Sequence, residues 1–102
     1  MLDFFKNLFG KSVDYKDLKS RGAQIIDVRT TTEFQNGHIK QSQNIPLQDL
    51  KLASEKLDLK KPIITCCASG VRSASAKSIL QNAGFEVYNG GGWQSLQKKL
   101  NS

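Results

Sequence analysis

Short apolar runs alternate with amphipathic stretches along most of the chain, and this alternation predicts strands and helices in turn. Runs rich in β-branched or aromatic residues predict buried strands at 23–28, 62–66 and 85–88. A short strand is also predicted at 42–45, where Pro46 prevents further pairing. Strands that alternate with helices are joined by crossovers, so the pattern predicts an α/β fold with a mostly parallel sheet and helices on both faces.

Helix signals lie between the predicted strands. Asp14 can cap a helix that runs to about Ser20, and Thr30 or Thr31 can cap one helical turn. The leucines at 47, 50 and 52 indicate a helix on one face of the sheet. Further helices are predicted at 73–82 and 93–100, and residues 90–92 are predicted to form a tight glycine loop.

The first residues form a separate unit in this scheme. Five apolar side chains there fall on one face at helical spacing, and Gly10 follows them as a stop signal. We therefore divide the chain into an N-terminal amphipathic segment, 1–12, and a domain, 13–102. So short a helix needs a surface to pack on, and docking on the domain is the interpretation we favour over a partner or a membrane.

Length and charge narrow the class of protein. The 102 residues are enough for one domain with a buried core and too few for two. The net charge of +6 attracts anions, but the basic residues are scattered and no aromatic side chains are interleaved with them, so we expect no nucleic-acid partner. Apolar runs fall far short of the ~20 residues of a membrane span, and we expect a cytoplasmic monomer.

The chemistry is concentrated at Cys66 and Cys67. Adjacent cysteines exclude an ordinary disulfide framework, and two thiols cannot build a four-thiolate metal site. A small turn containing Gly70 and Arg72 separates them from the next predicted helix. Backbone N–H groups in such a turn, together with the positive helix end, form an anion site that favours a thiolate. The residues thus predict that Cys67 is a nucleophile acting on a small anion, whereas Cys66 is a buried strand residue.

This loop carries a family resemblance. Residues 67–72 (Cys-Ala-Ser-Gly-Val-Arg) resemble the active-site loop Cys-x-x-Gly-x-Arg of the rhodanese-like sulfurtransferases. Three further stretches resemble family motifs in the same order: 26–29 (Ile-Asp-Val-Arg) with Glu33-Phe34, 37–39 (Gly-His-Ile) with 44–46 (Asn-Ile-Pro), and 90–93 (Gly-Gly-Gly-Trp). Residues 41–43 depart from the family's usual Gly-Ala, and Ala68-Ser69 is smaller and less charged than in many members.

The resemblance implies a rhodanese-like sheet of about five strands and a sulfur-transfer mechanism. Cys67 would take a sulfur from thiosulfate or a similar small anionic donor and pass it, as a persulfide, to cyanide or a thiol acceptor. That acceptor would be a small thiol or a thioredoxin-like protein, and neither a cofactor nor a metal is needed. The amides of Ala68, Ser69, Gly70, Val71 and Arg72 would stabilise the anionic sulfur, with the Arg72 guanidinium as an added positive charge.

Residues outside the loop are expected to support it. Asp27 ends a predicted strand near the site and either bonds to the loop or caps the following turn. Arg29 and Glu33, four residues apart, are expected to form a local ion pair. His38, the only histidine, is the candidate for a general base, but a packing role is the interpretation we favour. Trp93 is expected to pack on the core beside the glycines.

Two alternatives remain open. Counted from Cys66, the sequence to Arg72 spells Cys-x5-Arg, the loop of cysteine phosphatases and arsenate reductases, although Thr65 stands where those phosphatases carry a histidine. The second alternative is a sulfur carrier or binding module that has the rhodanese fold without catalysis.

Overall fold

A computed structural model describes residues 13–101, and within them four strands form one parallel sheet. The expected sheet of about five strands is compatible with this arrangement. The spatial order is β2-β1-β3-β4, which places β1 and β3 at the centre. The strands are β1 (Gln24–Asp27), β2 (Gln43–Asn44), β3 (Ile63–Cys67) and β4 (Val87–Gly92).

Helices cover both faces of the sheet, as the sequence pattern predicts. The side chains of α3 and α4 pack in one core beneath the sheet, and those of α1 and α5 pack in a second core on the other side. Two short 3-10 turns flank α3 at Leu47–Asp49 and Ser54–Lys56. The helices are α1 (Tyr15–Ser20), α2 (Thr31–Gln35), α3 (Leu50–Ala53), α4 (Val71–Asn82) and α5 (Trp93–Leu100).

The predicted caps are present at two helices. Asp14 accepts a hydrogen bond from the Asp17 amide at the start of α1. Thr30 and Glu33 form a reciprocal capping box at the start of α2, in which each side chain bonds to the other residue's backbone N–H. This box holds Glu33 in place beside the end of the central strands.

Several predicted boundaries were wrong near the site. Residues 90–92, predicted as a loop, continue β4, and Gly92 is paired with Cys67 across a register shift in β3. The helix expected from Ser73 begins at Val71, and β3 extends one residue further to Cys67. The amphipathic segment 1–12 lies outside the described residues.

Alternation along β3 divides its side chains between the two cores. Ile63 and Cys67 belong to the core beneath α3 and α4, while Ile64 and Cys66 belong to the core beneath α1 and α5. Successive strand residues point to opposite faces, so the paired cysteines enter different environments. Within residues 13–101, no helix combines the length and apolar character needed to span a membrane.

Candidate active site

The site is built where β3 ends and α4 begins. Cys67 is the last residue of the strand, three residues link it to the helix, and Gly70 occupies the N-cap position with φ +106°. This left-handed conformation favours glycine, because a Cβ atom there clashes with the backbone. Gly70 therefore lets the chain turn sharply enough for the first amides of α4 to approach the cysteine.

Backbone donors converge on the sulfur of Cys67. The Gly70 amide donates to Sγ at 2.9 Å and the Ser73 amide at 3.4 Å. Burial raises the pKa of the thiol, but hydrogen bonds from Ser73, Gly70 and Ser69 outweigh it, so the pKa of Cys67 lies below its ordinary value. Of the amides predicted at 68–72, Gly70 and Ser69 therefore act on the sulfur, while Ser73 was not predicted. Within residues 13–101, no hydrogen bond to Sγ comes from the other predicted amides, those of Ala68, Val71 and Arg72.

The thiol has no exposed surface. Cys67 is 0% exposed, whereas Ala68 and Ser69, which follow it, are exposed. The loop residues at 68–70 are therefore the part of the site that meets solvent. In this structure the loop closes Sγ off from solvent.

Arg72 is held beside the loop by a carboxylate. Its guanidinium donates two hydrogen bonds to Glu33, at 2.7 Å and 2.9 Å. The ion pair, together with hydrogen bonds from Thr30, lowers the pKa of Glu33 to about 2. Arg72 lies beside the loop, but its guanidinium forms an ion pair with Glu33, which the sequence analysis had paired with Arg29.

The expected ion pair between Arg29 and Glu33 was wrong. Arg29 pairs with Asp27 instead, with Nη2 at 2.7 Å from Oδ2, and meets Glu33 only at the backbone carbonyl. Both partners are buried, and Asp27 also accepts the Arg29 amide, so it closes the turn after β1. An i,i+4 ion pair requires both residues to lie in one helix, and Arg29 precedes the helix, which begins after Thr30. Asp27, two residues away in the bend, is therefore the partner of Arg29.

Trp93 packs against the second core, as expected, whereas His38 is exposed and its ring rests on a neighbouring ring. His38 Nδ1 lies 2.7 Å from the Phe34 carbonyl oxygen, and its ring stacks on that of Phe34. The Arg29 guanidinium lies 4.9 Å from the centroid of Trp93. Among the described residues, neither ring forms a hydrogen bond with Cys67, so no histidine base lies beside its thiol.

Cys66 faces away from the loop. Its side chain is fully buried among apolar residues of the second core, such as Ile64 and Leu96. Burial, with a smaller contribution from Asp27, raises its pKa to about 12. A thiol in this position stays protonated at neutral pH and does not contact Arg72 or the loop amides.

Sequence reasoning missed two residues that complete the site. Ser73 donates its hydroxyl to Asn89 at 2.6 Å and lies 3.4 Å from the Cys67 sulfur. Asn89 is on β4, one residue before Gly90, and the position of polar residues at the carboxyl edge of a parallel sheet is the signal that could have identified it. Gly92 allows β4 to pass close to the loop, because a Cβ atom on this residue would lie 2.9 Å from the Ala68 carbonyl oxygen.

Comparison with known sequences identifies a match to the rhodanese-like domain and several relatives. The model of the rhodanese-like domain matches residues 13–99. YqhL of Bacillus subtilis (strain 168) is 41% identical over 70 residues, which cover 68% of this chain and 56% of that protein, so the matched part spans little more than half of that relative. The thiosulfate sulfurtransferase GlpE of Stutzerimonas stutzeri (strain A1501) is 38% identical over 73 residues, covering 71% of this chain and 67% of GlpE.

Solved structures agree with the sequence comparisons. A rhodanese with anions from E. coli matches with a TM-score of 0.65 and 33% identity over 72% of this chain and 89% of its own. A rhodanese-related protein of Thermoplasma volcanium matches with a TM-score of 0.72 and 32% identity over 87% of this chain and 92% of its own. The human single-domain sulfurtransferase TSTD1, at 24% identity and a TM-score of 0.68, shares the fold.

Proposed function

The chain belongs to the rhodanese-like domain family, and from this premise we propose that it is a sulfurtransferase that carries sulfur as a persulfide on Cys67. The observation that supports this most directly is the convergence of the Gly70 and Ser73 amides on the Cys67 sulfur. These donors are fixed before any substrate arrives, so they stabilise negative charge on sulfur without reorganising.

The proposed reaction has two displacement steps. The Cys67 thiolate attacks the outer sulfur of thiosulfate, a sulfur–sulfur bond forms, and sulfite leaves with the electron pair of the bond that breaks. Cyanide or an acceptor thiolate then attacks the outer sulfur of the persulfide, and the Cys67 thiolate is released. Each step exchanges one bond to sulfur for another, so no external oxidant is needed, and the covalent intermediate divides the transfer into two easier steps.

We propose thiosulfate as the donor because it is an anion that suits the positively charged Arg72, and because related proteins are named thiosulfate sulfurtransferases. The GlpE proteins are named thiosulfate sulfurtransferases, and one of them is 38% identical to this chain. A dianion would compete with Glu33 for the Arg72 guanidinium, whose planar fork of donors suits oxygen atoms of an oxyanion. Opening of residues 68–70 would admit the donor to Sγ, since the closed loop leaves Cys67 without exposed surface.

A thiol is the acceptor we propose for the second step. A small thiol or a thioredoxin-like protein presents a sulfur nucleophile that can reach the persulfide once the exposed loop moves. The cytoplasmic location expected from the sequence would keep such thiols reduced. The positive net charge of the chain favours an acceptor that is itself anionic.

The geometry opposes the phosphatase alternative. That reading requires Cys66 as the nucleophile, but the Cys66 thiol faces the second core and its pKa is raised to about 12. Its sulfur therefore lacks both the ionised form and the amide donors that phosphoryl transfer needs.

Intact-mass measurement after thiosulfate treatment tests the proposal. We expect wild-type protein and Cys66→Ser to gain the mass of one sulfur, and Cys67→Ser to gain none. Subsequent addition of cyanide should return the mass to its starting value and release thiocyanate. A sulfur adduct that survives in Cys67→Ser would refute the assignment of the nucleophile. An adduct on Cys67 that neither cyanide nor a thiol removes would support the non-catalytic carrier, and aryl phosphate hydrolysis lost in Cys66→Ser would support the phosphatase.

A further inference from the structure

The Ser73 hydroxyl lies between the catalytic sulfur and a side chain of another strand. Its oxygen is 3.4 Å from Cys67 Sγ, 3.1 Å from the Gly70 carbonyl oxygen and 2.6 Å from Asn89 Oδ1. A hydroxyl has one proton to donate, so it can serve only one of these three acceptors at a time. The shortest distance identifies Asn89 as the acceptor in this structure.

The orientation of the Asn89 amide follows from its other partners. The Gly91 backbone N–H donates to Oδ1 at 2.9 Å, and because an N–H group can only donate, the atom facing it must be the oxygen. Asn89 Nδ2 lies 3.4 Å from the Gly70 carbonyl oxygen. Asn89 thus presents a fixed acceptor to Ser73, with its amide plane held on both sides.

We propose that Asn89 is a positioning residue that holds the Ser73 hydroxyl proton away from Cys67 and thereby controls how readily the active-site thiol ionises. In the thiol form, the Cys67 S–H donates to Ser73 Oγ while the hydroxyl donates to Asn89. When the thiol loses its proton to a base in solution, the lone pairs of Ser73 Oγ face a sulfur anion. The hydroxyl then lowers the energy of the thiolate only by turning from Asn89 to Sγ.

The Ser73 hydroxyl can therefore donate either to the Cys67 thiolate or to Asn89, and the two hydrogen bonds compete. A hydroxyl that donates to the thiolate lowers the pKa of Cys67, and a hydrogen bond to a charged acceptor is stronger than one to a neutral amide. Giving up the bond to Asn89 offsets part of that gain. The ionisation of the nucleophile is therefore influenced by a residue that forms no hydrogen bond with the sulfur, on the strand paired with the one that carries Cys67.

Other charged groups near Cys67 are unchanged by substitution at Asn89. On the elements around the sulfur they are Arg72 on α4, Glu33 on α2 and Asp27 on β1, together with the Cys66 thiol on its own strand. Asn89 carries no charge, so replacing it with alanine leaves the local charge unchanged. A change in thiol ionisation after Asn89→Ala then reports the hydrogen-bond network.

The significance of this inference rests on the proposed function, but its test measures thiol ionisation and not sulfur transfer. The rate of iodoacetamide alkylation would be measured from pH 4 to pH 10 in the Cys66→Ser background, so that Cys67 is the only thiol. We expect Asn89→Ala to move the midpoint down by roughly one pH unit, or about tenfold in reaction rate below the midpoint. Ser73→Ala should move it up, because the thiolate loses a donor.

The double variant separates this network from a general loosening of the loop. We expect Ser73→Ala/Asn89→Ala to have the midpoint of Ser73→Ala alone, since Asn89 acts only through the hydroxyl. An Asn89→Ala shift that persists without the hydroxyl, or an upward shift, would overturn the proposal. Asn82→Ala, an exposed asparagine at the end of α4, is the matched control and should leave the midpoint unchanged.

A second substitution decides the matter should Asn89→Ala fail to fold. Asn89→Asp keeps the shape of the side chain and the acceptor for Gly91, and holds the hydroxyl more firmly. We expect it to raise the midpoint, and to raise it less in the Ser73→Ala background, where only the direct effect of the charge remains. Equal shifts in the two backgrounds would overturn the proposal, while sulfur transfer by these proteins is a separate measurement.

Discussion

Cys66 and Cys67 are neighbours on one strand, and the structure gives them opposite chemical properties. The Cys67 sulfur receives backbone amides and has a lowered pKa, whereas the Cys66 sulfur lies among apolar side chains and has a raised one. Both are 0% exposed, so accessibility in the closed structure does not distinguish them. Burial disfavours the thiolate at both positions, and the hydrogen-bond donors around Cys67 outweigh it there, whereas no such donor reaches Cys66 from the described residues.

The two faces of the sheet also differ in where their charged and polar groups lie. On the Cys66 side, charge is neutralised internally, by the buried pair of Asp27 and Arg29 stacked on Trp93. On the Cys67 side, polar groups meet at the edge where the chain leaves the sheet, and the Arg72 side chain is 35% exposed. We expect the first arrangement to stabilise the fold and the second to serve the proposed function.

The largest expected contrast is in thiol reactivity. With iodoacetamide at pH 7, we expect Cys67 in Cys66→Ser to react at least about a thousandfold faster than Cys66 in Cys67→Ser, because the thiolate is the reacting form. The Cys67 rate should remain high below the ordinary thiol pKa of about 8.5, whereas the Cys66 rate should keep rising with pH toward about 12. Mass spectrometry of the two single-cysteine proteins gives both profiles. Similar profiles for the two thiols would refute the comparison.

The next effect concerns the stability of the Cys66 side. Asp27→Asn leaves Arg29 buried without a counter-charge, and we expect the free energy of unfolding to fall by about 3–5 kcal/mol. Urea unfolding measures this loss. Asp17→Asn is the matched control, because Asp17 pairs with Arg21 on the surface, and it should cost only a small fraction of that amount. Where Asp27→Asn still folds, the pH profile of Cys67 should stay close to that of the wild type, and a large shift would contradict the separation of the two faces.

A smaller effect distinguishes loop geometry from general stability. Gly70→Ala and Gly84→Ala each place a Cβ atom at positive φ, +106° and +98°, and each should cost about 1–2 kcal/mol. Of these two glycines, Gly70 is the one whose amide donates to the Cys67 sulfur, so we expect Gly70→Ala and not Gly84→Ala to slow persulfide formation. Parallel urea unfolding and sulfur-transfer assays test this. Equal losses of activity in the two variants would indicate that stability alone explains the result.

The smallest expected effect is on donor binding. Glu33→Gln removes the charge that neutralises Arg72 and still suits the capping box at Thr30. We expect the KM for thiosulfate to fall a few-fold with little change in kcat, and Arg72→Ala to raise it. Since the pKa of Glu33 is about 2, the carboxylate stays charged above pH 4 and the change in KM should be independent of pH there. An increase in KM for Glu33→Gln would show that the ion pair positions Arg72 for binding.

Local signals predicted much of the fold. The cap at Asp14 and the cap at Thr30 follow from residue types that bond to free helical amides, and both are present. Boundaries near the site were less predictable, because residues 90–92 read as a turn and yet continue β4 under the constraint of pairing with β3. Glycines favour turns locally, but neighbouring strands and the close approach of Gly92 to Ala68 override that preference.

The sequence by itself determined the family and the parallel α/β plan, and it predicted different surroundings for the two cysteines, because these depend on spacing and on strand alternation. Only the tertiary structure decided the partners of the charged and polar side chains. Arg72 meets Glu33, Arg29 meets Asp27, and Ser73 meets Asn89, and none of these pairs could be chosen by separation along the chain. Arg72 and Ser73 gain their partners because helices and strands from separate parts of the chain are brought to one edge of the sheet. Asp27 and Arg29 pair within the bend after β1, because both are buried there and a buried charge requires a partner.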